Sequence, residues 1–516
     1  MLASIRSATV IGIDACEVIV EVDVAPGLPH WTIVGLASGA VKESRERVVA
    51  AIQNSGYSLP SRRVTVNLAP ADLKKASSGF DLPIALALLV ATGQVDADSL
   101  SRTVAVGELA LDGAIRPVRG VLSIARLVAE SDRSLMVPRE NAGEASLVSR
   151  LEIGAPASLR EAVEQLECNR LECPAISTPA AAENGDVPDL TDVVGQEMAR
   201  RAIEIAAAGG HGVLLTGPPG SGKTLLARCL PGILPELLES EALEVIAIQS
   251  VAGLLAGDVN VSPTRPFRAP HHTVSIAGLV GGGPGPRPGE VSLAHRGVLF
   301  LDEMLEFPRH TLDAMRQPLE DGHVTIVRAA ASIRFPARFT LVGAMNPCPC
   351  GYAGDGTERC ICTIPDITRY QSRLSGPLAD RVDLRVSVAA LPLRQLGDSN
   401  VRECSAAVRS RVEAARFVQR ARYARLTGDI WNGSVSGRWL DRNGGTTRES
   451  RELLATAAER MGLSARSYHR ALRVARTIAD LDESREIAPQ HVAEALRYRA
   501  IASTPDHGKI EQSTAT

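Results

Sequence analysis

Residues 213–230 constrain this chain more than any other stretch. An apolar run, Val213-Leu214-Leu215, leads into Gly217-Pro218-Pro219-Gly220-Ser221-Gly222-Lys223-Thr224, and a helix-forming segment from Leu225 to Leu230 follows at once. Strand, glycine-rich loop and helix, with G-x-x-x-x-G-K-[ST] spacing, is the context in which the motif carries meaning. The glycines let backbone N–H groups turn inward onto phosphate oxygens, and the helix N-terminus adds a favourable dipole. Lys223 supplies a point charge for β- and γ-phosphates, and Thr224 a hydroxyl for Mg²⁺. The stretch predicts a P-loop that binds a nucleoside triphosphate.

Two further stretches supply the chemistry such a loop needs. Val298-Leu299-Phe300-Leu301 predicts a buried parallel strand with Asp302 and Glu303 at its carboxyl end, where α/β ligand sites lie. Asp302 there can hold Mg²⁺ through water, and Glu303 can orient the attacking water. A carboxylate pair after a strand is also a common helix start, and the P-loop in the same chain decides between the two. A third strand, Phe339 to Pro347, places Asn346 just past its end. Asparagine before proline is also a routine turn former.

Composition sets outer limits. At 516 residues the chain is long enough for about three domains. A net charge of −3, with 45% hydrophobic and 22% charged residues, predicts a soluble globular protein and argues against a dedicated basic DNA-coating protein. No apolar run is long enough to span a bilayer, and MLASIRSATV lacks a signal-peptide core, so a cytoplasmic location and no membrane partner are expected.

The first 170 residues alternate at period two in three stretches, 8–14, 16–24 and 30–36. Helices are expected over 40–55, 82–91 and 120–131, with strands over 62–69, at 103–113 around an Asp112-Gly113 turn, and at 134–138. This is an α+β pattern. Residues 173–189 are rich in Pro, Ala, Ser, Asn and Gly and predict a linker. Cys168 and Cys173 beside it predict inert thiols. Residues 401–422, 447–460, 464–481 and 487–501 carry apolar residues at helical spacing, with Ser464 as a candidate N-cap.

Four of the nine cysteines crowd into fifteen residues: Cys348, Cys350, Cys360 and Cys362, a CxC–x9–CxC pattern. Two close thiolate pairs can fill all four positions of one tetrahedral ion, which predicts a structural Zn²⁺, with an Fe–S cluster as the alternative. Residues 265–297 are saturated in the middle with Gly and Pro and predict a long loop without packed structure. Arg265, Arg268, Arg287 and Arg296 on it would offer a basic lining for nucleic-acid phosphates. His271-His272 lacks a third ligand at metal spacing.

Taken in order, GPPGSGKT, RAPHHT, VLFLDE, AMNPCPCG, LSGPLADRVDL and ARTIADL resemble the YifB/ComM family of magnesium-chelatase-like AAA+ ATPases over nearly the whole chain. GELALDGAIRPVRGVL (107–122) and VPRENAG (137–143) resemble the Lon-protease-type domain. The resemblance implies a multidomain α/β protein: a Lon-protease-like α+β domain over 1–170, a linker over 171–189, an AAA+ core with a helix-2 insert over 190–393, an all-α lid over 394–505, and a disordered tail over 506–516. It implies ATP and Mg²⁺ as ligands, with Val194 beside the adenine and Asn346 as sensor 1. Arg381 takes the arginine-finger position, reaching a neighbour's nucleotide, with Arg373 as the alternative. Arg466 takes the sensor-2 position, with Arg470 as the alternative. A hexameric ring motor on single-stranded or branched DNA, a helicase driving branch migration in natural transformation or recombination with recombination proteins as partners, is the implied activity. A magnesium-chelatase-type ATPase driving a metal-insertion partner is the second implied reading. A Lon-like protease is the third, although Gly79 falls at the nucleophile position, leaving only Ser78 with Lys74 or Lys75 as a candidate dyad beside Ser77. Two departures stand out: MLEF follows the carboxylate pair where a proline is common, and residues 74–79 depart from Pro-Lys-Glu-Gly.

Overall fold

The computed structural model describes residues 1–500 except 37–40, 42, 74, 76–77, 175–186, 256–263, 284, 329–330, 357, 391–401, 427 and 429. The expectations for Lys74, Ser77, most of the linker, the first residues of the lid and the tail lie outside the described residues. Two sheets organise the rest.

The first is a mixed seven-stranded sheet built from β1 (Leu2–Ile11), β2 (Asp14–Ala25), β3 (His30–Val34), β4 (Arg63–Ala69) and β5 (Thr103–Ala105), with a small hairpin of β6 (Glu108–Leu109) and β7 (Ile115–Arg116) beside it. Strands β8 (Ser134–Met136) and β9 (Ile153–Gly154) complete the order β3-β4-β2-β1-β5-β8-β9. The period-two pattern explains β2, where Val18, Val20, Val22 and Val24 all face the core. The helix Asp81–Ala91 is apolar nearly all round, and every one of its residues is buried. Its first residue, Asp81, is tied down by Arg47, whose Nε and Nη2 donate to the carboxylate at 2.6 and 3.0 Å.

The second sheet is parallel throughout. It contains β10 (Val213–Thr216), β11 (Phe267–Arg268), β14 (Val298–Leu301), β17 (Thr340–Met345) and β18 (Leu384–Ser387), in the order β11-β14-β17-β10-β18. The hairpins β12–β13 (Gly281–Gly282 and Arg287–Pro288) and β15–β16 (His323–Arg328 and Ala331–Pro336) stand outside it. Because β17 lies between β10 and β14, with Thr216 opposite Met345 and Leu301 opposite Gly343, three chain segments leave the sheet side by side at its carboxyl edge.

Residues 265–297 are not the structureless loop that their glycines and prolines suggest. They contain β11, a helix Ile276–Val280, the β12–β13 hairpin and a helix Glu290–Leu293, with Leu279 and Val291 fully buried. The apolar residues between the glycines pack against Leu299 and Leu301 of the sheet and Met304 just after it, which outweighs the local preference for turns.

The C-terminal region is helical: Ser405–Tyr423, Gly437–Asn443, Arg448–Arg460, Ala465–Leu481 and Pro489–Ala500. The side chain of Ser464 accepts from Ser467 N at 3.2 Å, the N-cap expected there. The first unit meets the second through the helix Glu239–Ala252. Leu122, Ile246 and Ala247 form one buried cluster, and buried Glu144 accepts from Ser250 Oγ and, at 2.7 Å, from Leu122 N. No helix among the described residues is long and apolar enough to cross a membrane.

Candidate nucleotide site

The carboxyl edge of the parallel sheet gathers the residues singled out in the sequence. β10 is fully apolar up to Thr216, and the chain then turns through Gly217 to Gly222 into the helix Lys223–Ile233. Gly217 has to be glycine for reasons of space, since a Cβ there would collide with the carbonyl of Val388 just past β18. Pro218, Pro219, Gly220 and Ser221 complete the loop, and the half-buried Leu225 anchors the helix on the core. Lys223 Nζ donates to the carbonyls of Gly217 and Pro218, both at 2.8 Å, and lies 3.4 Å from Asn346 Oδ1. Burial holds its ammonium below the ordinary lysine range, while the charges of Asp302 and Glu303 pull the other way.

Thr224 Oγ1 donates to Asp302 Oδ2 at 3.0 Å, so the two groups expected to share a metal ion already touch. Asp302 Oδ1 accepts from Glu303 N at 3.0 Å. Glu303 itself has φ 48°, a strained setting for a side-chain-bearing residue, and its carboxylate is exposed. One neighbour of Glu303 escaped the sequence reading: His272 Nδ1 stands 3.9 Å from Glu303 Oε2. The turn Val194-Gly195-Gln196 is held to the same edge, because Gln196 Nε2 donates to the carbonyl of Ala389 at 2.7 Å.

The arginines lie elsewhere. Arg381 comes just before β18, at the opposite, amino edge of the sheet, and Arg466 is in the first turn of the helix Ala465–Leu481. Both line a cavity of about 600 Å³ whose wall includes Gly212, Gly297 and Thr340, the starts of three strands that end at the nucleotide loop and its neighbours. Neither is brought to Lys223 of its own chain. Arg381 pairs with Glu320 and donates to the carbonyl of Pro377 at 2.6 Å. Arg466 is exposed, whereas Arg470 is held by Asp383 at 2.6 Å. Asp383 also meets His211 Nδ1 at 2.9 Å, and His211 Nε2 meets Thr477 Oγ1 at 2.8 Å, so this network ties the start of β10 to the C-terminal helices. Arg373, by contrast, is on the nucleotide side, with Nη1 3.2 Å from Glu306 Oε2.

The expected basic lining of the insert is corrected. Arg265 is buried and donates to Glu241 and to the carbonyls of Pro235 and Arg296. Arg296 pairs with Glu241 and Glu244, and Arg268 is bidentate to Glu290 at 2.7 and 2.9 Å. Each is satisfied by carboxylates of its own chain. Arg287, exposed on the β12–β13 hairpin, is the member of the set left facing solvent.

This arrangement can be set beside known proteins. The family description "Magnesium chelatase, subunit ChlI" matches residues 189–396, and those of its C-terminal part and of "Subunit ChlI of Mg-chelatase" match 402–499 and 20–141. The chain is 44% identical to the competence protein ComM of Haemophilus influenzae, over 97% of this chain and 98% of ComM. It is 44% identical to YifB of Escherichia coli, over 97% of each. The chain belongs to the ComM/YifB family of magnesium-chelatase-like proteins. The 38 kDa magnesium-chelatase subunit of Rhodobacter capsulatus is more distant, 32% identical over 33% of this chain and 53% of that subunit. Membership of this family makes the chain an AAA+-type ATP-binding protein, and the carboxyl-edge cluster is its candidate nucleotide site.

In this ComM/YifB chain the described candidate protease residues, Ser78 and Lys75, are each engaged by another group. Ser78 Oγ donates to Glu108, and the fully buried Lys75 donates to the carbonyl of Pro70. A Ser–Lys nucleophile needs the two in mutual contact. The four clustered cysteines, however, do converge: their sulfur atoms all lie within 4.8 Å of one another.

Proposed function

We propose that this chain is an ATP-hydrolysing ring motor that acts on DNA, a helicase or branch-migration enzyme working in recombination or natural transformation. The observation that carries it is the split of the catalytic set across one sheet. Lys223, Thr224, Asp302, Glu303 and Asn346 gather at the carboxyl edge, while Arg381 and Arg466 line the amino edge. Such a chain completes an ATP site only by meeting a second copy head to tail, and repeated head-to-tail contacts close into a ring. A hexamer fits this reading.

The roles follow. Backbone N–H groups of 217–225 cradle the phosphates, Val194 lies beside the adenine, and Lys223 neutralises charge on the β- and γ-phosphates. Thr224 and Asp302 hold Mg²⁺, Glu303 positions the lytic water, and Asn346 orients it from the adjacent strand. Arg381 from the next subunit neutralises the charge that develops on the transferred phosphoryl, with Arg466 as its partner from the same subunit.

The DNA assignment draws on likeness to ComM along the full length, and the more distant likeness to a magnesium-chelatase subunit over a third of the chain makes metal insertion the weaker reading. The N-terminal unit is read as a Lon-like fold without protease chemistry, since Ser78 and Lys75 each have another partner. The test is steady-state ATP turnover with and without single-stranded and branched DNA. Stimulation several-fold by DNA, lost on Glu303→Gln, is expected; turnover indifferent to DNA would refute the assignment.

A further inference from the structure

The segment 348–362 has almost nothing apolar to hold it together. Of its described residues only Cys348 and Gly351 are buried, and Ile361 is 87% exposed. Yet the segment keeps four sulfurs in one place. Cys348 Sγ is 3.3 Å from Cys350 Sγ and 3.8 Å from Cys360 Sγ, and Cys350 Sγ is 3.7 Å from Cys360 Sγ. A disulfide requires about 2.05 Å. Four thiolates at about 2.3 Å from one ion stand at the corners of a tetrahedron with an edge of about 3.8 Å, so these sulfurs are spaced as ligands. Their small spread suits one ion rather than a polynuclear cluster, in which each iron takes its own thiolate and pushes the cysteines apart. Ala353 N donates to Cys348 Sγ at 3.3 Å, the outer-shell hydrogen bond that steadies a ligating thiolate.

The segment also rests on the nucleotide loop. Gly351, between the two cysteine pairs, has φ +89°, and a Cβ on it would come within 2.8 Å of Pro219 Cδ and 3.9 Å of Asn346 Cγ. Asn346 in turn is the neighbour of Lys223 Nζ. From the other side, Gln371 Nε2 donates to the carbonyl of Pro347 at 3.0 Å, out of the helix Ile364–Gln371 that begins two residues after Cys362. The backbone of the cysteine loop thus forms one wall of the P-loop.

We propose that Cys348, Cys350, Cys360 and Cys362 bind one thiophilic divalent cation, zinc by its donor set, and that this ion clamps the loop against Pro219 and Asn346, making nucleotide binding metal-dependent. The proposal rests on the reading of the Lys223 centre as the ATP site. Without the ion the loop has no core of its own, so the wall behind Pro219 relaxes and the P-loop loses its preformed shape.

The experiment uses the full chain. Metal analysis of the purified protein is expected to give about one zinc per chain. Stripping that zinc with an organomercurial and a chelator is expected to weaken binding of a fluorescent ATP analogue by about tenfold or more, with recovery on adding zinc back. Cys350→Ser reproduces the loss, and Cys404→Ser, at an exposed cysteine outside the cluster, leaves zinc and affinity unchanged. Gly351→Ala separates the two halves of the proposal: it keeps the zinc and still lowers nucleotide affinity, because the added methyl pushes on Pro219. A chain that binds ATP tightly with no stoichiometric metal, or one that loses its zinc with no change in affinity, would overturn the clamp and leave the motor reading standing. A zinc-loaded chain that binds no ATP would overturn both.

Discussion

If the ATP site is shared between neighbouring copies, two inactive variants should repair each other. Lys223→Ala removes the ammonium proposed to bind phosphate at the carboxyl edge, and Arg381→Ala removes the guanidinium from the amino edge. The edges are separated by the strands themselves: β10 has four residues, about 13 Å at the usual rise, and Arg381 comes three residues before Leu384, the partner of Val213 at the start of β10. The loop at the far end adds to this separation, so Arg381 cannot serve Lys223 of its own chain. Loss of an arginine finger lowers turnover by about a thousandfold or more, so each variant alone should be near background. When equal amounts are mixed and reassembled, a working site needs Lys223 from one copy and Arg381 from the next, which random assembly in a ring supplies at about one interface in four. ATP turnover plotted against mixing ratio should therefore rise from both ends to a maximum at equal proportions. A straight line joining two inactive parents would refute the shared site, and so would an Arg381→Ala chain that hydrolyses ATP at the wild-type rate.

Two further outcomes follow from the charge networks. Asp383→Asn leaves Arg470 and Arg499 facing a neutral group in a buried setting, and should cost about 3 kcal/mol in urea unfolding; a cost near zero would show that the network contributes nothing. Burial alone would push the Asp383 carboxyl up, but the hydrogen bond and charge of His211, with Arg470 and Arg499, hold it far below the usual carboxylate range. Its stabilising share is therefore present above the unfolded-state value of about 3.9 and is lost as the pH falls toward its lower folded value, so wild type should lose more stability than Asp383→Asn in strong acid. On the insert, Arg287→Glu should weaken DNA binding and flatten its salt dependence without loss of folding stability, because the side chain is exposed. Arg268→Ala should instead destabilise the fold by breaking the bidentate pair with Glu290. Equal effects of the two on DNA binding would contradict the structure.

The nucleotide centre was legible because its signals are local. The glycines, Lys223 and Thr224 fall within eight consecutive residues, and Asp302, Glu303 and Asn346 each follow an apolar run that reads as a strand. The order β14-β17-β10, which brings those three strand ends together, is a property of the sheet and appears only in the structure. The same distinction explains the insert. Its glycine and proline content speaks for turns, but Leu279 and Val291 find a core contributed by distant strands. Its arginines looked free because their partners are remote in sequence: Glu241 lies 24 residues before Arg265, and Glu290 lies 22 after Arg268. The pairing of Arg470 with Asp383 was equally out of reach, since the two lie more than eighty residues apart. His272 beside Glu303 carried no signal at all, as the pair forms only when β11 is laid against β14. The short helix Gly437–Asn443 was missed because glycine opens it and charged residues outnumber apolar ones within it.

The proposed motor activity is tested by movement of a four-way DNA junction by the purified chain, compared between wild type and Glu303→Gln in the presence of ATP and Mg²⁺. Wild type should resolve the junction into duplex arms only while ATP is hydrolysed. Glu303→Gln should still bind ATP and DNA but leave the junction intact, since the carboxylate proposed to position water is gone while Lys223, Thr224 and Asp302 remain. A wild-type chain that hydrolyses ATP without moving the junction or responding to DNA is not a DNA motor.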